Sequence, residues 1–408
     1  MKVTTYFTNF EDQPSKAGFM VKKVDLITPY GSQYRVLHHF TKKLYEAWIR
    51  AGYEARFFED ATEALKVMLL DPPDLIVGFN GVPRHDQIPY SDILKKPYLS
   101  LIVDPFYHFL SEISSPYVII GCDDFSSVTA FKNTNFHQAF FVPHAVESDL
   151  TTDSEVEKIF EVSMLATFID YEARREQWRL KYPLQVCEAM YEAVEQTFLN
   201  PQLAFIEATL GKVQWAYYNH PELRTAEVDI ISLLKDVELY IKGKERIDIL
   251  KAIHTVPVHV FGHSVDKVNW KSYFKNQSNI ITHDAVTYEK SIEIMKQSKI
   301  VLNSSIKNKF GAHERIFTAL AAGALVITNE NDYLKNFFSH DVDIAFYQYH
   351  GLLNLNQMIV DYLADEDHRQ QVAENGREIV MTYHTWDARI REFEKNLFPR
   401  IEAGMLKT

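Results

Sequence analysis

The stretch that says most about the fold is GAHERIFTALAAGALVIT, residues 311–328. This stretch predicts a short loop, a helix with His313, Glu314 and Arg315 near its start, and a strand over residues 324–328. A helix N-terminus presents free N–H groups and a partial positive charge, so a guanidinium and an imidazole beside it favour a phosphate group. The apolar strand that follows is typical of a buried parallel sheet. The alternative is an ordinary amphipathic helix with a polar start.

The first part of the chain alternates strand-like and helix-like segments. Helical spacing covers residues 32–51, which end before the breaker Gly52, and residues 61–70. Continuous apolar strands separated by helices indicate a parallel sheet covered on both faces. The predicted strands are residues 2–7, 53–58, 74–79, 98–103, 117–121 and 139–142.

A second alternating run begins near residue 160 and contains a long, mostly helical stretch at residues 174–253. Two α/β domains in series are therefore predicted, with ligands bound outside the carboxyl ends of the strands and in a cleft between the domains. The predicted strands are residues 160–165, 256–261, 279–282, 299–303 and 324–328. The other predicted helices are residues 288–297, 352–363, 368–383 and 386–402.

Composition excludes several classes of protein. A length of 408 residues favours two domains, and 46% hydrophobic with 24% charged residues is typical of a globular protein. A net charge of −12 argues against non-specific nucleic-acid binding, because phosphate repels it. Two cysteines, Cys122 and Cys187, exclude a disulfide scaffold and a four-cysteine zinc site. The absence of a signal-type N-terminus or a membrane-length apolar run predicts a cytoplasmic protein with no membrane span.

Six segments carry a resemblance to a known family. Towards the C-terminus they are SKIVLNSS (298–305), HERIFTALAAGALVITNE (313–330) and ENGREIVMTYHTWDARIREF (374–393). Towards the N-terminus they are the loop PYGS (29–32) leading into a helix that ends RAGYEARFF (50–58), PYLSLIVDPF (97–106) and FFVPHAV (140–146). In this order the segments resemble the GT-B glycosyltransferases, and most closely the spore-maturation-protein CgeB-like glycosyltransferases.

The resemblance implies two Rossmann-like domains that face each other across a cleft. Residues 1–155 would hold the acceptor, and residues 156–386, which include the helical segment 174–253, would hold the nucleotide-sugar donor. A C-terminal helix, residues 387–408, would cross back to the first domain. The resemblance also implies metal-independent chemistry with no cofactor beyond the donor co-substrate.

One departure from the family pattern concerns two glutamates. Many retaining members carry them eight positions apart around the helix, and here those places hold Phe310 and Thr318. Glu314 does not restore the pair, because Ala322 lies eight positions on. The ribose contact and the stereochemical outcome are therefore left open.

Arg315 is the favoured ligand of the donor diphosphate, since a fixed guanidinium stabilises the charge that develops on a departing nucleoside diphosphate. His313 is a candidate for a phosphate or sugar contact, and Thr318 for the ribose. Glu314 at the helix start complements the helix dipole, and it is a weaker candidate for a ligand. The other donor-binding candidates are Asn303 and Ser304 at a strand end, Gly262 and His263 after the preceding strand, and Gly31 and Ser32 in a Pro-Tyr-Gly-Ser loop.

An inverting transferase needs a base for the acceptor hydroxyl, and Asp104 is the first candidate. It follows a buried strand and precedes Pro105. His108 and His144 compete for the role, and Asp123 and Asp124 are further options. A turn residue that caps a strand end is the alternative for Asp104, and a retaining enzyme would need no such base.

Two further patterns favour a structural role. Arg174 and Arg175 precede a solvated helical sequence, although a basic group there would reach the diphosphate in this class. Asp341-Val-Asp343 matches the Asp-x-Asp pattern of metal-dependent enzymes, but it precedes a strand-like run and is interpreted as a solvated loop.

The sequence thus predicts a metal-independent glycosyltransferase that moves a hexose from a nucleotide diphosphate sugar, with UDP favoured, to an acceptor hydroxyl. The acceptor is a protein, a glycan or a small molecule, and a nucleic acid is disfavoured by charge. Three alternatives stay open: a catalytically silent relative that acts in binding or assembly, a nucleotide-sugar epimerase, and a sugar phosphorylase. The last would need a pyridoxal-phosphate lysine in a glycine-rich context, which the sequence does not offer.

Overall fold

The computed structural model describes residues 21–152, 156–264, 266 and 268–402. The strand predicted at residues 2–7 lies outside this range. The chain divides into two compact units. Unit 1 contains the described parts of Met1–Leu150, Thr287–Glu289 and Ile379–Thr408, and unit 2 contains those of Thr151–Val286 and Lys290–Glu378.

Unit 1 is built on a parallel sheet with a small antiparallel hairpin. Its strands are β1 (Lys23–Ile27), β2 (Glu54–Phe58), β3 (Leu75–Phe79), β4 (Arg84–His85), β5 (Ile88–Pro89), β6 (Tyr98–Ile102), β7 (Val118–Cys122) and β8 (Ala139–Phe141). The hairpin is β4–β5, and the other six strands form one sheet in the order β2-β1-β3-β6-β7-β8. Every residue of β3, β6 and β7 is buried, which explains their continuous apolar sequences.

The helices that precede residue 150 are α1 (Val36–Arg50), α2 (Ala61–Leu70), α3 (Tyr90–Leu94) and α4 (Phe125–Asn133). Helix α1 begins four residues later than the predicted start at residue 32. The reason is that Tyr34 and Arg35 adopt left-handed backbone angles, with φ of 57° and 60°, which no α-helix accommodates.

Strand β1 was not predicted, and its composition explains why. The sequence KVDLI contains Asp25 at its centre, and a carboxylate in a central strand is unusual. Asp25 is fully buried, and Arg56 from the neighbouring strand β2 donates two hydrogen bonds to it at 2.7 and 2.5 Å. Burial raises the pKa of Asp25 while Arg56 opposes the rise. An ion pair between adjacent strands therefore makes a charged residue compatible with the core.

Unit 2 contains a second parallel sheet. Its strands are β9 (Phe160–Leu165), β10 (Val258–Phe261), β11 (Ile280–His283), β12 (Ser298–Leu302), β13 (Leu325–Asn329) and β14 (Ala345–Tyr347), in the order β11-β10-β9-β12-β13-β14. Numbered within the unit, this order is 3-2-1-4-5-6, which is the Rossmann arrangement. The fold is therefore α/β with two Rossmann-like parallel sheets, as the sequence predicted.

The predicted helical stretch 174–253 consists of four α-helices between β9 and β10. Helix α6 packs against α7, and α5 packs against α8. The long connection is thus a helical layer rather than a single crossover helix. The helices of this part of the chain are α5 (Tyr171–Lys181), α6 (Leu184–Leu199), α7 (Phe205–Asn219), α8 (Ile230–Ala252), α9 (Trp270–Tyr273), α10 (Tyr288–Lys296), α11 (Glu314–Ala321), α12 (Leu355–Ala364) and α13 (Glu366–Tyr383).

The end of the chain belongs to unit 1 and contains α14 (Trp386–Asn396) and α15 (Phe398–Glu402). Thr385 is the N-cap of α14, as predicted, and its hydroxyl accepts a hydrogen bond from the Ala388 N–H at 3.2 Å. Helix α14 packs on α1, where Arg50 and Asp387 form a two-bonded ion pair at 2.8 and 2.7 Å. These contacts hold the C-terminal helix against the first helix of unit 1.

Candidate functional site

The strand order of unit 2 reverses between β9 and β12, and ligands on open α/β sheets bind at the carboxyl edge beside such a reversal. Arg246 on α8 joins the two strand ends. Its Nη1 donates to the carbonyl of Thr167, after β9, at 2.7 Å, and its Nε donates to Ser304 Oγ, after β12, at 3.4 Å. A buried guanidinium thus lies at the position where the topology favours a ligand.

The N-terminus of α11 holds the three residues that the sequence singled out. His313 is the N-cap, and its Nδ1 lies 2.5 Å from Glu314 Oε2. Its Nε2 lies 3.2 Å from Arg315 Nη2. Because the guanidinium can only donate, Nε2 accepts this hydrogen bond. As the side chain of the N-cap, Nδ1 accepts a hydrogen bond from the Arg315 N–H at 3.3 Å. His313 therefore links the carboxylate to the guanidinium and orients Arg315 at the helix start.

Thr318 lies one turn further along α11 and is fully buried. Its hydroxyl donates to the Glu314 carbonyl at 3.0 Å. With its proton used inside the helix, the hydroxyl can only accept a bond from a ligand. The ribose contact of Thr318 stays a prediction, with that restriction.

The residues after β12 form a hydrogen-bonded turn. Asn303 Nδ2 donates to Ser305 Oγ and to Thr328 Oγ1, both at 3.0 Å, and Ser305 Oγ donates to Asn329 Oδ1 at 3.0 Å. Asn303 Oδ1 is buried and has no hydrogen-bond partner among the described residues. Asn303 and Ser305 thus shape the turn, and the Asn303 oxygen and the Ser304 hydroxyl are the groups left for a ligand.

Glu245, next to Arg246 on α8, holds this turn in place through hydrogen bonds to its backbone. Its carboxylate accepts hydrogen bonds from the N–H groups of Ser305 and Ile306 at 3.1 and 3.0 Å, and from the Tyr347 hydroxyl at 3.0 Å. Burial raises the pKa of Glu245 to about 7, and the bonds from Ile306 and Tyr347 oppose the rise. The turn after β12 therefore depends on a carboxyl group that titrates near neutral pH.

The loop between β12 and α11 is fixed by Asn331. Its Nδ2 donates to the carbonyls of Asn308 and Gly311, both at 2.9 Å, and Asn331 itself is buried. Lys309, also buried, donates to the Thr197 carbonyl on α6 at 2.8 Å. The start of α11 is thus preorganised, as a binding site for a charged group requires.

Gly262 and His263 follow β10. A Cβ on Gly262 would lie 1.8 Å from the Ala166 carbonyl oxygen, so only glycine allows the two strand ends to approach this closely. His263 is exposed, and its carbonyl accepts a bond from the Phe168 N–H at 2.8 Å. Gly262 has a packing role, and the donor contact of both residues stays a prediction.

Gly31 and Ser32 lie in the loop after β1 in unit 1. Gly31 is exposed with nothing within 4 Å of an added Cβ, and Ser32 Oγ accepts the Leu37 N–H at 2.8 Å. The left-handed Tyr34 and Arg35 that follow each cost roughly 1–3 kcal/mol. Strained residues of this kind cluster at functional sites. The donor contact of Gly31 and Ser32 stays a prediction.

Asp104 and His108 are both exposed, after β6. The Asp104 carboxylate accepts a hydrogen bond from Asn80 Nδ2 at 2.8 Å, and Asn80 Oδ1 accepts the Val103 N–H at 2.9 Å. Asn80 follows β3 and has a left-handed φ of 52°. Asp104 is therefore accessible and oriented, whereas the His108 ring lies tilted against the Tyr107 ring, with ring centroids 4.5 Å apart.

His144 lies at the same edge of the sheet but is buried. Its Nε2 is 3.4 Å from Asp123 Oδ2, and its ring packs edge-on against Phe40. Asp124 caps α4 by accepting the Ser126 N–H at 2.8 Å. His144 and Asp123 are thus brought together, while Asp124 has a structural role.

Sequence reasoning missed Glu245, Arg246, Asn80 and Asn331. A signal existed for the first two, because they fall among the apolar positions of α8, with Ile241 and Ile249 on either side, where a charge needs an explanation. Asn80 had a weaker signal as the Asn of an Asn-Gly pair after a buried strand. Asn331 had none, since its partners are 20 and 23 residues away.

Other sequence patterns are placed as follows. Arg174 pairs with Asp266 at 2.7 Å, and Arg175 lies over the Tyr191 ring. Asp341 accepts bonds from Tyr362 and His368, and Asp343 accepts the Ser339 N–H. Within the described ranges, no group of three or more His, Cys, Asp or Glu is arranged to hold a metal ion. Nor does any helix in those ranges have the length and apolar character to span a membrane.

Comparison with known proteins supports the fold. Residues 245–395, less than half of the chain, match a family model described as "Glycosyl transferase-like". This segment begins at Glu245 and includes the whole of α11. No curated protein sequence matches the chain.

Solved structures of similar fold include three transferases or synthases with low identity. The phage T4 BGT structure with its UDP-glucose substrate has a TM-score of 0.52 and 10% identity, covering 92% of this chain and 99% of its own. A glycosyltransferase involved in avilamycin A biosynthesis has a TM-score of 0.52 and 10% identity, covering 94% and 98%. Sucrose-phosphate synthase from Thermosynechococcus elongatus has a TM-score of 0.50 and 11% identity, covering 94% and 100%. The chain therefore has the fold of these GT-B proteins.

Proposed function

We propose that this protein is a glycosyltransferase of the CgeB-like kind that moves a hexose from a nucleoside diphosphate sugar, with UDP favoured, to an acceptor hydroxyl. The observation that carries the proposal is Arg315, oriented by His313 and Glu314 at the N-terminus of α11. The glycosyltransferase-like segment includes this helix. The T4 BGT structure, which shares the fold, was solved with UDP-glucose.

The donor half of the reaction needs a group that stabilises the departing diphosphate. Its negative charge grows as the bond to the sugar breaks, and a guanidinium with helix N–H groups stabilises that charge without transferring a proton. Arg315 and Arg246 supply the cations, and the turn after β12 supplies the Ser304 hydroxyl. We propose that this set acts without a divalent metal.

The acceptor half needs a proton acceptor if the anomeric configuration inverts. Asp104 is the favoured base because it is exposed and Asn80 orients its carboxylate. His144 is buried beside Asp123, so it is better suited to support the edge of the sheet than to reach an acceptor. The proposed acceptor is a hydroxyl group of a protein, a glycan or a small molecule.

A catalytically silent relative that binds a partner is the second candidate. The observation in its favour is the absence of carboxylates at Phe310 and Thr318, where many retaining members carry glutamates. Such a protein would bind no nucleoside diphosphate or bind it without releasing sugar. An epimerase would also bind UDP-sugar, but it would convert one UDP-sugar to another without an acceptor.

Calorimetric titration of the purified chain with UDP, GDP, ADP and CMP tests the proposal. We expect UDP to bind in the micromolar range and Arg315→Ala to weaken it at least tenfold, since a hydrogen bond to a charged group contributes about 1.5–3 kcal/mol. Arg224→Ala, an exposed arginine outside the site, is the matched control and should bind as the wild type does. If none of the nucleotides binds to the wild type, the donor site is absent and the silent relative is favoured.

A further inference from the structure

A groove of about 680 Å³ lies between α5 and α6 in the helical layer of unit 2. None of its lining residues belongs to the site around α11. Its volume is within the range of small-molecule sites, which is roughly 300–1,000 Å³. Its lining differs from that of most such sites because five of its side chains are charged.

The charges in the groove nearly balance. Arg175 and Arg179 face it from α5, together with three carboxylates, Glu176, Glu188 and Glu192. Glu192 is also paired with Lys212 at 2.8 Å. A phosphate would meet more carboxylates than guanidinium groups, and an apolar ligand would form no hydrogen bonds with the five exposed charged side chains. The lining therefore favours a neutral ligand with many hydrogen-bonding groups.

Two aromatic side chains in the groove indicate which class of ligand it would bind. Tyr191 is 41% exposed in the groove, and the Arg175 guanidinium lies 5.8 Å from its ring centroid. Trp178 also lines the groove and is almost fully buried, yet its indole N–H has no hydrogen-bond partner among the described residues. A buried donor without a partner is rare in native proteins. The N–H itself is covered, so an acceptor oxygen from a ligand would satisfy it once the side chains that cover it move aside.

A pyranose ring matches this set of groups. Its hydroxyls both donate and accept, so they pair with carboxylates, guanidinium groups and an indole N–H alike. Its C–H face is apolar and packs on an aromatic ring such as Tyr191. We propose that the α5–α6 groove is a binding site for a neutral saccharide, separate from the donor site.

Titration with three neutral oligosaccharides, maltohexaose, cellohexaose and chitohexaose, tests the proposal. We expect at least one to bind the full-length chain, and Tyr191→Ala and Arg179→Ala each to weaken that binding at least tenfold. Tyr218→Ala on α7 removes a tyrosine that is 82% exposed and outside the groove, so it should leave the binding unchanged. Inorganic phosphate and hexalysine are titrated as charged probes.

The proposal is overturned if no oligosaccharide binds, if binding survives both groove substitutions, or if a charged probe binds in their place. UDP titrated into the same variants separates this proposal from the proposed function. Groove variants that keep UDP binding but lose saccharide binding support two sites. Saccharide binding without UDP binding would leave the groove in place and remove the donor site.

Discussion

Asn80 and Asp104 form the pair of residues on which acceptor activation would depend. Asn80→Gly keeps the left-handed backbone that Asn80 adopts but removes both of its side-chain bonds. We expect kcat to fall by up to about 100-fold with little change in donor KM, because a misplaced base slows the proton transfer without weakening donor binding.

Asp104→Asn should lower kcat by roughly 100-fold to 10,000-fold. Steady-state kinetics of UDP-sugar turnover measures both.

Asn80→Ala serves as the comparison, since it removes the same bonds and also strains the backbone. If the glycine variant retains full kcat, Asn80 has no positioning role. If Asp104→Asn retains full kcat, no base is required at that residue, and a retaining mechanism becomes the better interpretation.

Glu245 gives the protein a predicted pH dependence. Its pKa is raised from 4.5 to about 7 in the folded state, so between these values the folded chain holds a proton that the unfolded chain has lost. The stabilisation from this group is therefore fully present below pH 4.5. It is lost by about 1.4 kcal/mol per unit as pH rises from 4.5 to 7, on the order of 3 kcal/mol in total. Glu245→Gln should remove this component. Urea unfolding at pH 5 and pH 7 measures it.

The quantity to compare is the change in the free energy of unfolding between pH 5 and pH 7, in the variant and in the wild type. The other titrating groups contribute equally to both proteins and cancel. Glu207→Gln, an exposed glutamate on α7, should leave that difference unchanged. An unchanged difference in Glu245→Gln would mean that Glu245 does not titrate in this range.

At the level of helices and strands, two glycines have opposite predicted effects. Gly262 follows β10, where an added Cβ would lie 1.8 Å from a backbone oxygen of Ala166, so Gly262→Ala should destabilise unit 2 by about 3 kcal/mol or more. Gly211 lies inside α7 with no atom within 4 Å of an added Cβ. Gly211→Ala should stabilise the protein by about 0.5–1 kcal/mol, because alanine favours the helix.

Chemical denaturation with far-ultraviolet circular dichroism measures both glycine variants. Both substitutions add one methyl group, so a difference between their effects on stability reflects the surroundings of each glycine. Equal effects of the two substitutions would contradict the close approach of β9 and β10.

For the molecule as a whole, the testable property is independence from divalent metal. We expect the UDP Kd to change by less than about twofold, or about 0.4 kcal/mol, between buffer with EDTA and buffer with magnesium, because the proposed charge stabilisation comes from arginines and helix N–H groups. Calorimetry in the two buffers measures it. A loss of affinity above about tenfold in EDTA would show that a metal bridges the diphosphate to the protein.

Much of the fold could be predicted because buried strands and amphipathic helices leave local patterns. Strands such as β3 and β6 are buried along their whole length and therefore appear as apolar runs in the sequence. The start of α11 and the Thr385 cap were also predicted, since the residues that cap a helix are its immediate neighbours in the sequence. Strand β1 was missed because Asp25 breaks the apolar run, and its partner Arg56 is 31 residues away.

The candidate site was predictable only in part, for a similar reason. His313, Glu314 and Arg315 are consecutive, so their cluster at a helix start is visible in the sequence. The interactions that hold them and the neighbouring turn in place are long-range. Glu245 reaches Ser305 across 60 residues, Arg246 reaches Thr167 across 79, and Asn80 reaches Asp104 across 24.

The local order of residues thus specified the two α/β units, the helix that carries Arg315 and the cap of the last long helix, because each depends on residues close together in the chain. Strand order depends on which apolar segments meet in the folded sheet. It brought β9 beside β12 and so put Arg246 at the point of reversal. Only the tertiary structure decided the burial of Glu245, which raises its pKa towards neutrality. The packing of α5 and α6 likewise formed the polar groove between them.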